Sequence, residues 1–425
     1  MQNTDKQADE QTPRKRRARA RIEKAEKLRE VRYEIRGRVL QKARRLEQEG
    51  HRVLKLNIGN TAPFGFEAPE SILRAVIHEL PRSQGYEDAQ GIFTARNAVV
   101  HECQRIGIPN VDVDDVYLGN GVSELIVMAT QALLNPGDEI LVPAPDYPLW
   151  TAAVFLAGGV PVHYRCDEEA DWYPDLEDIQ NKTTSRTKAL VVINPNNPTG
   201  AVYDHSLLSS LAAWARQHNL VVFADEIYSK VLYDDAKYIP MASIDEEVLT
   251  LTFDGLSKAY HVPGFRVGWM IVSGALGRAR SFIDGLDTLA SMRLCPNVPV
   301  QHAVPAALGG YQAIFDETCP GGLLYEQRNA AHESLISIPG ISCFKPKGSI
   351  FLFPRIDTKK YKIYDDEKFV YDLLMDKKIL VVQGSGFNYP APDHFRIVFL
   401  SKRAELFSAS ESIGAFLATY SQNQT

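Results

Sequence analysis

The chain has 425 residues, 45% of them hydrophobic and 24% charged, with a formal net charge of −6. That is globular composition on a length exceeding one typical core, so two domains are expected, and the acidic surplus excludes a general attraction to nucleic acid. The five cysteines, at 103, 166, 295, 319 and 343, are odd in number and contain no Cys-x-x-Cys pair, so no zinc or disulfide framework is expected and a reducing cytoplasm fits; no stretch approaches the roughly 18 apolar residues of a membrane span.

The first 32 residues read as a solvated arm. Met1 to Thr12 are polar and lack aromatics, and Arg14-Lys15-Arg16-Arg17-Ala18-Arg19-Ala20-Arg21 concentrates positive charge without an apolar stretch to make a secretory signal. Tyr33-Glu34-Ile35-Arg36-Gly37 follows, read locally as the start of an amphipathic helix, and then Leu56-Asn57-Ile58-Gly59-Asn60. Tyr86, between Gly85 and Glu87, is by local sequence an interface or loop aromatic. Tyr117-Leu118-Gly119-Asn120-Gly121-Val122-Ser123-Glu124 runs into the apolar Leu125-Ile126-Val127-Met128-Ala129, which predicts a helix whose small first residues expose amide donors at its positive end. The third glycine of a dinucleotide fingerprint is absent, which argues against a nicotinamide enzyme.

Four apolar runs then predict buried strands. Glu139-Ile140-Leu141-Val142 leads to Pro145-Asp146-Tyr147-Pro148-Leu149-Trp150. Ala189-Leu190-Val191-Val192-Ile193 breaks into Asn194-Pro195-Asn196-Asn197-Pro198-Thr199-Gly200, which cannot continue a ladder and so displays its asparagines at a strand's carboxyl end. Leu220 to Ala224 delivers Asp225-Glu226-Ile227-Tyr228, and Leu249 to Phe253 delivers Gly255-Leu256-Ser257-Lys258, with Pro263-Gly264-Phe265-Arg266-Val267-Gly268 beyond. In open α/β sheets ligands bind at that edge, so Asn197, Asp225, Tyr228 and Lys258 are expected together. A lysine that can shed its proton there is able to form a Schiff base with an aldehyde or ketone. Further on, Gly348 to Pro354 reads as a strand, Phe369 to Met375 as a helix, and Asp393-His394-Phe395-Arg396-Ile397-Val398-Phe399 as a strand carrying an arginine near its start.

Asn-Pro-Thr-Gly at 197–200, Asp225-Glu226-Ile227-Tyr228, Ser257-Lys258 and Arg266 stand in an order and spacing that resemble the fold-type I pyridoxal-phosphate aminotransferases. The resemblance implies an α/β fold, a mostly parallel central sheet in a large domain with a smaller α+β domain beside it. It implies pyridoxal 5'-phosphate as cofactor, with Lys258 as the lysine that forms the internal aldimine and then shuttles the proton. Asp225 would face the pyridine nitrogen, Asn197 and Tyr228 the phenolic oxygen, and Tyr147 the ring face. Gly121, Val122, Ser123, Ser257 and Arg266 would hold the phosphate. The family often has a hydroxyl three residues before the lysine; this chain has Gly255, so one phosphate contact is expected to be missing, with Ser123 as compensation.

The same resemblance assigns Arg396 to the substrate α-carboxylate, Gly59 to the wall of that pocket, and Tyr86 to the neighbouring subunit's phosphate, which implies a homodimer with shared active sites. Tyr33 and Arg36 match the Tyr-x-x-Arg-Gly segment of bacterial alanine aminotransferases, with Arg36 meeting a distal carboxylate and Arg293, in Ser291-Met292-Arg293-Leu294-Cys295, competing for that role. Ping-pong alanine:2-oxoglutarate (glutamate–pyruvate) transamination is therefore expected, on small amino acids and 2-oxo acids, with neither membrane nor nucleic acid as partner. The expected division is 1–32 as arm, 33–62 as a small-domain segment covering the site, 63–303 as the cofactor-binding domain and 304–425 as the small domain. A β-eliminating C–S lyase of the same fold, or an aminotransferase with another donor, would share nearly every residue named.

Overall fold

The computed structural model describes residues 22–29, 31 and 37–422; Tyr33 and Arg36 lie outside them. Its centre is an eight-stranded sheet whose strands are, along the chain, β1 (Val116–Gly119), β2 (Glu139–Ala144), β3 (Val160–Asp167), β4 (Tyr173–Pro174), β5 (Thr187–Ile193), β6 (Val221–Asp225), β7 (Thr250–Gly255) and β8 (Gly268–Ser273). They lie in the order β1-β8-β7-β6-β5-β2-β3-β4. From β7 through β6, β5 and β2 to β3 every pairing is parallel, while β8 is antiparallel to both its neighbours.

The apolar strands are buried on both faces because helices cover both. On one face Leu190, Val192, Val222 and Ala224 pack with Leu208, Leu211 and Ala215 of the helix His205–Gln217. On the other, Val191, Ile193, Phe223, Leu251 and Phe253 meet Trp150 and helix α1 (Val122–Leu133) through Leu125, Ile126 and Ala129. Alternate residues of one strand thus feed two cores, as a period of two requires.

The remaining strands are short. Leu54–Lys55 pairs in parallel with Ile379–Leu380, so the chain before the central sheet is tied to the chain after it. Phe395–Val398 pairs antiparallel with both Phe351–Leu352 and Val382–Gln383. The strand expected over Gly348 to Pro354 is laddered only at Phe351–Leu352, because Ser349 takes a left-handed φ of 64° and Pro354 lacks a donor. The helix expected over Phe369 to Met375 runs from Asp366 to Lys377, extended at its start by Asp365, whose side chain accepts from Lys368 N.

Candidate active site

The parallel strands deliver their chemistry to one edge. β5 ends into Asn197, β6 into Asp225 and Tyr228, β7 into Ser257 and Lys258; β1 ends into Gly121 and α1, and β8, running the other way, begins just after Arg266. A cavity of about 710 Å³ opens there, lined by Gly59, Val122, Ser123, Tyr147, Asn197, Asp225, Tyr228, Ser257, Lys258, Arg266 and Arg396, among others. Eleven of the residues singled out in the sequence therefore share one cavity, although they come from segments as far apart as 59 and 396.

Lys258 donates from Nζ to the carbonyl oxygen of Gly59 at 2.9 Å. Burial, and then the positive charges of Arg396 and Arg266, bring its amine down to about 8, against the opposing pull of Asp225. Asp225 is 3% exposed. Trp150 Nε1 donates to its Oδ2 at 2.9 Å, yet burial outweighs that bond and pushes the carboxyl up to about 6. Tyr228 is buried as well, which raises its hydroxyl well above the ordinary range and keeps it a proton donor. In protein stripped of cofactor the depressed lysine has a stability signature. Between about pH 8 and the ordinary lysine value of 10.5 the unfolded chain holds a proton that the folded one has lost, so stability rises with pH through that window. The melting temperature of the wild type relative to Lys258→Met should climb across that range; a flat difference would contradict the buried, depressed amine.

One end of the cavity is built for an anion. The helix α1 has Gly121 as its N-cap, with no side-chain cap bond to its first amides. Gly121 has a φ of 81°, and a Cβ there would collide with the Arg266 guanidinium, so only glycine lets the arginine lie against the helix start. Arg266 is held by donating from Nη1 to Pro263 O at 3.0 Å and from Nη2 to Asn120 O at 3.4 Å. The missing hydroxyl at 255 has a steric cause. A Cβ on Gly255 would stand 2.7 Å from Val267 O and 2.9 Å from the Cα of Gly268, because Gly255 and Gly268 sit directly opposite each other in the antiparallel β7–β8 pair.

At the other end Arg396 is 2% exposed, donating from Nη1 to Asn197 Oδ1 at 2.9 Å and from Nη2 to Asn57 O at 2.6 Å. Its guanidinium lies 4.1 Å from the Phe351 ring centroid and 4.4 Å from that of Phe387. Those two rings, Asn57 and Trp150 were not singled out in the sequence, where each reads as ordinary core or turn; only the indole nitrogen of Trp150 inside an apolar helix hinted at a buried acceptor.

Arg293 is committed elsewhere. It pairs with Glu124 and donates to Leu118 O at 2.6 Å and Ala89 O at 3.0 Å, and it does not line the cavity. Tyr86 is 81% exposed and also stands outside the cavity of its own chain. No cluster of three or more His, Cys, Asp or Glu able to hold a metal occurs among the described residues, and no described helix is long and apolar enough to cross a membrane.

Residues 51–413 match the family model "Aminotransferase class I and II". The chain is a class I/II aminotransferase. The glutamate-pyruvate aminotransferase AlaA of Escherichia coli is 57% identical over 94% of this aminotransferase and 99% of its own length. The alanine aminotransferase of Mycobacterium bovis is 59% identical over 93% of this chain and 92% of its own. A crystal structure of an Escherichia coli aminotransferase superposes with a TM-score of 0.94 at 57% identity, covering 95% of this chain and all of the other. The alanine aminotransferase of Pyrococcus furiosus gives a TM-score of 0.88 at 38% identity, over 93% of this chain and all of that one. The family cofactor is pyridoxal 5'-phosphate, and the site suits it: a side-chain-free helix start beside an arginine for a phosphate, a buried carboxylate for a ring nitrogen, and a depressed amine for an aldehyde.

Proposed function

We propose that this aminotransferase exchanges the amino group between alanine and 2-oxoglutarate, yielding pyruvate and glutamate by a ping-pong sequence. The observation that carries this reading is the 57–59% identity, across nearly the whole of both chains, to enzymes named for glutamate-pyruvate and alanine transamination. Arg396 supports it with a fork already aimed by Asn197 and Asn57, able to take the carboxylate common to all four substrates through two charge-assisted bonds. With Oδ1 of Asn197 occupied by Arg396, the amide of Asn197 offers its N–H to an anionic oxygen in the cavity, and the Tyr228 hydroxyl offers a second donor. Arg266, Ser257 and the amides of Gly121, Val122 and Ser123 would hold the phosphate, Tyr147 the ring face and Asp225 the ring nitrogen.

The bound cofactor supplies an electron sink for the negative charge left at the substrate Cα. The protein's own work is to place and move one proton. Arg396 fixes the carboxylate, which orients the Cα–H bond toward Lys258. A neutral Lys258 amine, favoured by burial and by the two arginines, takes that proton and returns it. Asp225, facing a cationic ring nitrogen, would stay ionised and would hold that nitrogen protonated, since burial makes a lone carboxylate costly.

A donor screen tests the reading: alanine, glutamate and the other common amino acids, each against pyruvate or 2-oxoglutarate as acceptor, with alanine and 2-oxoglutarate, or glutamate and pyruvate, expected as the best pairs. Release of pyruvate and ammonia with no acceptor present, or preference for another donor, would replace it. For the distal carboxylate the tie of Arg293 to Glu124 favours Arg36, which lies outside the described residues.

We further infer a homodimer with shared sites. Ile77, Leu80, Tyr86, Phe93, Met292 and Leu294 are all more than half exposed, large apolar side chains that a partner subunit would cover. Met292→Glu with Phe93→Asp should give monomers by sedimentation and lose essentially all activity; a fully active monomer would refute the shared site. The division into 63–303 against 33–62 with 304–425, and a cytoplasmic location suggested by five free cysteines, belong to the same proposal.

A further inference from the structure

Behind the cavity wall that carries Tyr147 lies a buried polar cluster that transamination does not use. Asp146 is fully buried. Its Oδ2 accepts from Thr151 Oγ1 at 2.7 Å and its Oδ1 from Asn388 Nδ2 at 2.8 Å. The same Asn388 amide nitrogen lies 3.2 Å from Thr151 Oγ1, and His163 Nε2 lies 2.8 Å from it on another side. With its proton given to Asp146, that hydroxyl accepts from both, which assigns the His163 proton to Nε2.

The cluster also joins two parts of the chain 242 residues apart. Asp146 N donates to Phe387 O at 3.0 Å, next to the side-chain bond from Asn388. Two bonds from adjacent residues fix an orientation, where one would leave a pivot. On one side of this clamp Tyr147 lines the cavity; on the other the Phe387 ring backs the Arg396 guanidinium at 4.4 Å. Asn388 sits at a left-handed φ of 56°, a conformation that asparagine tolerates better than most residues.

We propose that Asn388 is a positioning residue for substrate: through Asp146 and Phe387 it sets the span between the Tyr147 wall and the Arg396 fork. It touches no reacting atom. The substrate carboxylate must meet Arg396 while its amino group meets the ring that Tyr147 would back, so an error of about an ångström in that span is felt in binding and orientation. This inference rests on Arg396 being the carboxylate clamp.

The test uses the holoenzyme with Asn388→Gly, which keeps the left-handed turn and removes the amide. Steady-state kinetics are read with alanine and 2-oxoglutarate, and the Kd of the inert dicarboxylic acid succinate is measured by calorimetry. The expected result is a rise of about fivefold or more in both KM and the succinate Kd, with kcat changed less than about threefold. Asn388→Asp, which also tolerates the left-handed turn but sets a carboxylate against Asp146 in place of the amide donor, should shift the same two quantities, and it stands in if the glycine variant does not fold. A lower melting temperature with KM and Kd unchanged would overturn the proposal, leaving Asn388 a purely structural tie. Arg396→Gln separates the two readings. If it weakens succinate binding while Asn388→Gly does not, the positioning role alone falls; if it leaves succinate binding intact, the clamp reading falls and takes this inference with it.

Discussion

Lys258→Ala is expected to fold normally and to lose at least about four orders of magnitude in transamination rate, since the one group placed to act as both nucleophile and proton carrier is gone. The wild-type amine contacts Gly59 O at 2.9 Å and is brought down to about 8 by its surroundings. Lys258 has no ion pair within contact distance among the bonds described and only partly offsets the buried Asp225, so its removal should change stability little. Cofactor should still be retained, because the phosphate cradle of Gly121, Ser257 and Arg266 is untouched, but without covalent attachment. Intact-protein mass after borohydride reduction reports this directly: the wild type should gain the cofactor's mass and the variant should not. Turnover near the wild-type rate, or a mass increase in the variant, would remove Lys258 from the centre of the mechanism.

Arg396→Gln should cost about 3 kcal/mol in transition-state binding, a loss of roughly a hundredfold or more in kcat/KM for the amino acid and the oxo acid alike. Both substrates carry the carboxylate that the fork would hold, so both half-reactions should suffer equally. Lysine is expected to be a poor replacement. A point charge cannot lie flat between the Phe351 and Phe387 rings while also serving Asn197 Oδ1 and Asn57 O. The loss should also reach Lys258, since Arg396 is the larger of the two charges depressing its amine; in cofactor-free Arg396→Gln that amine should titrate higher. Stopped-flow measurement of each half-reaction decides the matter, and a change below about threefold in both would exclude Arg396 from carboxylate binding.

Much of the central sheet was legible because its strands are buried on two sides. A run such as Leu190-Val191-Val192-Ile193 reads as a buried strand when every residue is apolar and the two prolines and glycine of the next seven residues break the ladder. The residues just past those runs were legible for the same reason, since a parallel sheet sends all its carboxyl ends to one edge. The strand at Gly348 to Pro354 was overdrawn, because its apolar pattern says nothing about the φ of Ser349. Arg293 shows the opposite difficulty. The family resemblance of Ser291-Met292-Arg293-Leu294-Cys295 implied a role in the site, yet Glu124, the Leu118 carbonyl on the sheet's edge strand and the Ala89 carbonyl hold it, and those lie some 170 to 200 residues earlier.

What the sequence determined by itself was the set of reactive groups and the edge at which they stand: an amine at 258, a carboxylate at 225, an amide at 197, an arginine at 266. Local pattern suffices there, since strand burial and strand endings are properties of a few consecutive residues. The tertiary structure alone decided their tuning and spacing. The Phe351 and Phe387 rings around Arg396, the Trp150 indole on Asp225, the forbidden Cβ at Gly255 and the Asp146–Asn388 tie all arise where distant segments pack. Interiors pack densely and polar groups within them must find partners, so those partners are settled by the assembled chain and leave no periodic trace along it.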